Sequence, residues 1–275
     1  METPKNITRI ISARLSAVRL ALFPYIDILF TVMKKAMLFA AGLGTRLKPL
    51  TDHCPKALVE IEGRPLLAIT LERLIAEGFE QVVVNVHHFA PMIKEYLANH
   101  PFDIDVRISD ESDELLDTGG GLRKALSLFH ADSDPILIHN VDILSNAPLA
   151  AFYESCRGEM AGLMVSRRQS TRHLLFDDRL RLCGWQNMTN GQVKSPYAEL
   201  QPESQQHFAF SGIHCVDPQI ATYMAALPAR FPIVDFYLSI CDKVQIQAHP
   251  QENLRLLDVG KLDSLDRARA FLVEG

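Results

Sequence analysis

The feature that most limits how this chain can fold is an apolar run at residues 36–41 that ends in Gly42 and is followed at once by Gly44. A short run of this kind, without polar alternation, fits a strand buried on both faces, as in a parallel sheet covered by helices. The pattern then repeats along the chain. Apolar residues at helical spacing fill 65–77 and stop at Gly78, a second β-branched strand follows at 81–86, and a helix at 91–98. Residues 104–108 alternate as a half-buried strand, 122–129 read as a helix beginning just after Gly119, Gly120 and Gly121, and 135–139 form a further apolar strand. Strands alternating with helices predict an α/β chain, a parallel sheet with helices on both faces and right-handed crossovers.

After Ala150 the rhythm changes. Strand-like segments at 160–165, 174–176, 180–185 and 207–216 are separated by turns such as Asp177-Asp178 and Asn190-Gly191, which predicts a β-rich lobe. Helices are expected at 218–226 and 233–241, then a strand at 254–257, Asp258-Val259-Gly260 and a last helix. With no internal repeat and no long linker, residues 33–275 are expected to form one domain with two halves, 33–150 and 151–275.

Residues 1–32 differ from the rest. Arg9, Arg14 and Arg19 are spaced along a stretch whose only strongly apolar part, 21–32, is interrupted by Pro24 and Asp27. It is too short to span a membrane, and no small-residue cleavage site follows it. A basic amphipathic surface helix is one reading. The simpler one, preferred here, takes Met33 as the true start and 1–32 as an extension outside the fold.

Composition excludes some function classes. With 48% apolar and 22% charged residues in 275, the chain is an ordinary globular protein, and a net charge of −5 argues against a nucleic-acid surface. The five cysteines form no Cys-x-x-Cys pair, so neither a disulfide framework nor a zinc site is expected and a reducing cytosol fits.

The segment from Leu38 to Thr51 reads Leu-Phe-Ala-Ala-Gly-Leu-Gly-Thr-Arg-Leu-Lys-Pro-Leu-Thr and closes on Pro55-Lys56. Glycines after a strand let the backbone approach an anion and turn its N–H groups toward it. Arg46 can grip phosphate oxygens through its fork of donors, and Lys56 acts as a mobile point charge. Lys48 reads as a solvated surface charge. The loop lacks the third glycine of a dinucleotide fingerprint, and a Walker-type lysine loop is absent. Asp142 follows the 135–139 strand and Asp258 the 254–257 strand, so both acids stand at the strand ends where α/β sheets bind ligands. Such carboxylates suit Mg²⁺, or merely cap the following helix.

This run resembles the signature of the sugar-1-phosphate nucleotidyltransferases, Ala-Ala-Gly-x-Gly-Thr-Arg-Leu-x-Pro-Leu-Thr followed by Pro-Lys, and later landmarks keep that family's order. The resemblance implies a Rossmann-like, mixed and mostly parallel sheet of the nucleotide-diphospho-sugar transferase type with a β-rich acceptor-binding lobe. It implies nucleotide binding in 33–150 and sugar-phosphate binding in 151–275. Arg46 and Lys56 become the expected catalytic residues. Ala40, Ala41, Gly42, Gly44, Thr45, Asn85, Thr118, Gly119 and Gly120 become the expected nucleotide contacts. Asp142 takes the place of the family's metal ligand, with Val141 where glycine is more usual, and Asp258 takes the place of a second aspartate. Phe210-Ser211-Gly212-Ile213 resembles a segment lining the sugar site, so Ser211 and Gly212, with Asn187 on the preceding hairpin, are expected at the sugar. Trp185, the single tryptophan, reads as core before ligand stacker, and His87 and His88 as surface histidines.

The implied reaction joins a nucleoside triphosphate, UTP or GTP, to a sugar 1-phosphate with release of pyrophosphate and use of Mg²⁺. No nucleic acid or membrane is expected as a partner, and the enzyme is expected in the cytoplasm, in cell-wall recycling, as a monomer or small homo-oligomer. The compact frame, with no room for a C-terminal β-helix, and the triple glycine look most like the members using UTP and N-acetylmuramate 1-phosphate. Mannose-1-phosphate guanylyl- and glucose-1-phosphate uridylyl- or thymidylyltransferases are the alternatives. A non-catalytic nucleotide-sugar sensor predicts loss of Arg46, Lys56 or Asp142, all of which are present, and a Rossmann oxidoreductase is disfavoured by the incomplete glycine pattern.

Overall fold

The computed structural model describes residues 33–130 and 132–274; the extension at 1–32 lies outside them. The chain runs through β1 (Lys34–Phe39), a small hairpin of β2 (Glu60–Ile61) and β3 (Arg64–Pro65), α1 (Leu66–Ala76), β4 (Phe79–Val86), α2 (Ala90–Asn99) and β5 (Asp105–Asp110). It continues with α3 (Asp117–Leu126), β6 (Ile136–Asn140), β7 (Ile143–Ser145), α4 (Leu149–Ser155), β8 (Ala161–Ser166), β9 (Arg172–Phe176), β10 (Leu182–Asn187) and β11 (Val193–Lys194). The long β12 (Gln206–Val216), short α5 (Ala221–Met224), α6 (Ile233–Ile240), β13 (Ile246–Pro250), β14 (Leu256–Asp258) and α7 (Asp263–Glu274) complete it.

The main sheet has the order β11-β10-β9-β12-β6-β1-β4-β5, with β8 on β12 and β13 on β8. Strands β6, β1, β4 and β5 are parallel, and β12 joins β6 antiparallel, so strands of both halves hydrogen-bond within one sheet. The apolar run in β1 has the predicted cause. Met37 packs into the core on one face with Val83, Leu122 and Ile138, while Ala36 and Leu38 pack into the core on the other with Leu71, Val82 and Val84. Each fully buried large apolar side chain contributes about 1.5–3 kcal/mol, which holds a strand covered on both faces without help from patterning. A smaller cluster of Leu47, Val59, Leu66, Leu144, Leu257 and Val259 ties the loop after β1 to β7, β14 and α7.

The helix expected at 122–129 instead starts at Asp117 and contains the three glycines. Its first turn lies against the 229–231 segment: a Cβ on Gly119 would strike the Phe231 ring, and one on Gly120 the Ala229 carbonyl. The glycines permit close packing within a helix, and this outweighs their poor helix propensity. The helix expected at 218–226 is a 3-10 turn leading into the four residues of α5. Elements α4, β7 and β13 carry too little local signal to be read from the sequence. Among the described residues no helix is long and apolar enough to cross a membrane.

Candidate active site

The carboxyl ends of β1, β4 and β6 open into a cleft of about 490 Å³ whose lining includes Ala40 to Arg46, Lys56, Asn85, Thr118 and Asp142. The loop after β1 makes one wall. Gly44 adopts φ 64°, and a Cβ there would come within 2.9 Å of Thr51 Cγ2 and 3.1 Å of Lys56 Cβ, so both conformation and space demand glycine. Its carbonyl accepts from Leu47 N at 2.9 Å and from Thr51 Oγ1 at 2.8 Å, closing the 3-10 turn Thr45–Leu47. A Cβ on Gly42 would meet nothing within 4 Å, so this residue's backbone is bare toward the cleft. Lys48 pairs with Asp52 at the surface, as its reading predicted.

Two acids distant in sequence converge on this loop. Strand β14 pairs antiparallel with β7, bringing Asp258 opposite Ile143, and Val259 N donates to the Asp142 carbonyl at 2.8 Å. Lys56, 8% exposed, forms an ion pair with Asp142. Arg46 lies 3.8 Å from Asp258, and a Cβ on Gly260 would come within 2.6 Å of the Asp258 carboxylate and 2.7 Å of the Arg46 guanidinium. Gly260 therefore makes room for that pair, a role its place after Asp258-Val259 did not reveal. Burial, and then the Asp142 carboxylate, push Asp258 above its ordinary pKa, against the pull of Lys56 and Arg46. Two adjoining carboxylates make a donor set suited to a hard divalent cation, and their oxygens are the ligands Mg²⁺ takes. The residues fit such an ion.

The opposite wall is less free than the sequence implied. Asn85 Oδ1 accepts from Ala40 N at 2.8 Å and Ala41 N at 3.3 Å, and its Nδ2 donates to Glu111 at 2.7 Å. The Asn85 amide thus holds the loop from within the cleft wall, which makes it a positioning residue. Glu111, which went unnoticed in the sequence, is buried beneath it, and burial raises its pKa. Both Gly119 N and Gly120 N donate to the Phe231 carbonyl, at 2.9 and 3.3 Å, so these donors are taken as well. Thr118 does reach the cleft, with its hydroxyl accepting from Ile233 N at 2.9 Å. His87 contacts the Glu111 carbonyl at 2.6 Å, and the His88 ring lies tilted against Phe89.

On the β-rich side a larger trench of about 850 Å³ shares Arg46, Thr118 and Asn140 with the first and includes Ser211, Gly212 and Asp258. Gly212, at φ 78°, lies against the Asn140 amide. The Ser211 hydroxyl donates to Met164 O at 2.7 Å and accepts from Ile213 N, so it shapes the wall. Arg168, Lys261 and Arg267 line this trench and escaped sequence reading, because single cations on separate elements make no motif. Trp185 lines an adjoining recess beside Lys194, which pairs with Asp235 at 2.7 Å. Asn187 lines none of these spaces; its Oδ1 accepts from Thr189 N at 2.9 Å within the hairpin, so the structure does not bring it to the sugar side.

The sequence profile of the family described as "Nucleotidyl transferase" matches residues 35–173, half of the chain. The chain belongs to that family. Among its relatives, the N-acetylmuramate alpha-1-phosphate uridylyltransferase of Caulobacter vibrioides is 46% identical over 112 residues, 40% of this chain and 46% of that protein. The mannose-1-phosphate guanyltransferase of Gibberella zeae is 34% identical over 138 residues, 48% of this chain and 37% of that protein. The matched stretches thus span less than half of either relative. The UDP-glucose pyrophosphorylase of Acinetobacter baumanii superimposes with a TM-score of 0.68 at 18% identity, over 86% of this chain and 92% of that one. At that identity the likeness shows the fold, which is that of the nucleotide-diphospho-sugar transferases.

Proposed function

We propose that the protein transfers a nucleoside monophosphate from a nucleoside triphosphate to a sugar 1-phosphate, with UTP and N-acetylmuramate 1-phosphate as its substrates. The observation that carries this reading is the meeting of Lys56–Asp142 and Arg46–Asp258 under a bare-backbone glycine loop. The choice of UTP and N-acetylmuramate 1-phosphate is supported by the higher identity to the Caulobacter uridylyltransferase. Mannose 1-phosphate with GTP, favoured by the second relative, and glucose 1-phosphate are the competing pairs.

An oxygen of the sugar phosphate attacks the α-phosphorus, a new P–O bond forms in line with the breaking one, and pyrophosphate departs. The nucleophile is already an anion, so no side chain has to remove a proton; the protein supplies alignment and positive charge. Backbone N–H groups of the 42–45 loop face the triphosphate, with Arg46 and Lys56 neutralising its oxygens. Asp142 and Asp258 would hold Mg²⁺, which when bound draws charge from the phosphates. Thr118 and the loop held by Asn85 shape the nucleoside side, while Ser211, Gly212 and the trench cations shape the sugar side. The enzyme works in the cytoplasm, in nucleotide-sugar synthesis for cell-wall recycling, with 33–275 as the active unit. Its scattered free thiols suit that compartment.

A pyrophosphate-release screen of four nucleoside triphosphates against N-acetylmuramate, mannose and glucose 1-phosphates tests both reaction and substrate. Release is expected to be fastest with UTP and N-acetylmuramate 1-phosphate. Faster release with GTP and mannose 1-phosphate would transfer the assignment to the second pair, and release with none of the pairs would end it.

A further inference from the structure

A second cluster of chemically active side chains lies away from the cleft. Cys156 after α4, Glu159 in the turn before β8, and His249 in β13 place Sγ, a carboxylate oxygen and a ring nitrogen within 4.8 Å of one another. His249 Nε2 is 2.8 Å from Glu159 Oε2 and 3.9 Å from Cys156 Sγ. Its Nδ1 is 3.2 Å from Ser155 Oγ, and Phe152 meets the ring edge-on, which fixes Nε2 as the inward nitrogen. Gly162 in β8 completes the arrangement: a Cβ there would collide with Cys156 Sγ and come within 2.9 Å of Glu159 and 3.1 Å of His249 Nε2. Gly162 pairs with Cys215, and Cys215 with Leu137, so the cluster is at the amino-terminal end of β6, opposite the end that carries Asp142.

Two readings of a Cys–His–Glu group compete. A nucleophilic relay uses one imidazole nitrogen toward the thiol and the other toward the acid. Here the same nitrogen faces both, and Cys156 is 1% exposed, beyond the reach of a substrate. Convergence of sulfur, nitrogen and oxygen on one point is what a thiophilic divalent ion requires. Tetrahedral zinc separates a nitrogen from an oxygen ligand by roughly 3.3 Å and from a sulfur by roughly 3.6 Å. The observed 2.8 and 3.9 Å bracket those spacings, so side-chain shifts of about half an ångström suffice. The Ser155 contact to Nδ1 is the outer partner that metal-bound histidines usually have.

We propose that Cys156, Glu159 and His249 form a binding site for a zinc-class divalent ion that clips α4 and the turn before β8 to β13, separate from the catalytic cation. Binding replaces the thiol proton of Cys156 and any proton on His249 Nε2, both released to solvent. The fourth position is left to water.

The test is titration of the chelator-treated full chain with Co²⁺, followed by absorption, with Zn²⁺ then added as competitor. A thiolate-to-cobalt charge-transfer band is expected, and it disappears on addition of Zn²⁺. Cys156→Ser abolishes the band, and Glu159→Gln, a change at a partly exposed side chain, weakens cobalt binding roughly tenfold or more. Asp142→Asn, which disables only the oxygen-ligand site, leaves the band in place. Zn²⁺ raises the melting temperature of wild-type protein and of Asp142→Asn alike. Absence of the band from wild-type protein, its persistence in Cys156→Ser, or full-strength cobalt binding by Glu159→Gln would each overturn the proposal. The wild-type and Glu159→Gln results decide it should Cys156→Ser fail to fold.

Discussion

The two sides of the cleft, proposed for the nucleotide and for the acceptor, are built by different means. On the first side the bare loop after β1 makes the wall together with Arg46, Lys56 and Thr118, and the loop is held from behind by Asn85, which accepts from Ala40 N and Ala41 N, with Glu111 beneath it. On the acceptor side the trench is faced by long cationic side chains, Arg168, Lys261 and Arg267, from separate elements. A backbone cradle recognises what all nucleoside triphosphates share, whereas side chains on a β-rich wall can change without disturbing the sheet. On the proposed function, chemistry belongs to the first wall and sugar choice to the second.

The strongest way to break that division is at the charges between the walls. Asp142→Asn and Lys56→Ala are each expected to lower pyrophosphate release by about 10³-fold, the order seen when a fixed group that stabilises developing charge is removed. Their melting temperatures should stay near that of the wild type. Comparable loss from Arg168→Ala would erase the difference between the walls.

Asn85→Ala comes next in expected size. It strips the loop of its clamp and leaves Glu111 Oε1 without its donor, while Oε2 keeps Leu116 N, so about 1–3 kcal/mol of stability is lost and KM for the triphosphate rises about tenfold. KM for the sugar phosphate should scarcely move. Arg168→Ala should do the reverse, raising KM for the sugar phosphate several-fold and sparing the triphosphate. Its guanidinium, held at 2.9 Å from the Phe210 carbonyl, faces the trench from the β-rich wall.

The seam between the halves gives a pH-dependent effect. Burial lowers His139 to about 4 and His214 to about 3 from an ordinary 6.5, and each lies at or beside the β6–β12 junction. Between those values the unfolded chain takes up protons that the native seam excludes, so stability is complete above 6.5 and is lost as pH falls toward 4. Each pKa unit is worth about 1.4 kcal/mol. Melting temperature should fall on acidification, less steeply in His139→Asn. The smallest effect belongs to Asn187→Ala, which should leave both KM values unchanged because the residue stays within its hairpin.

The same contrast explains what could be read from the sequence. The loop 40–46 was legible because backbone recognition requires glycine at defined positions, and Gly44 meets that demand in conformation and space. The parallel strands were legible because burial on both faces forces continuous apolar runs, as in β1 and β6. Asp142 and Asp258 stood out as strand-end acids, but their meeting depends on the pairing of β14 with β7, a three-residue strand with no local signal. Glu111 and Gly260 were invisible for the same reason: one is defined by its burial beside Asn85, the other by the Arg46–Asp258 pair it admits. Gly119 and Gly120 carry a strong signal that the resemblance assigns to nucleotide contact, and their missing side chains make room for Phe231 and Ala229. The acceptor cations had no signal at all, being single residues whose neighbours are set by the sheet.

The central claim is attack on the α-phosphorus between Arg46, Lys56 and the two aspartates. It is tested most directly by following label from UTP marked at either the α- or the γ-phosphate, incubated with N-acetylmuramate 1-phosphate, Mg²⁺ and the enzyme. The account predicts α-label in the nucleotide sugar and γ-label in pyrophosphate, with both transfers lost in Asp142→Asn. Delivery of γ-label to the sugar phosphate, or undiminished transfer by Asp142→Asn, would contradict it.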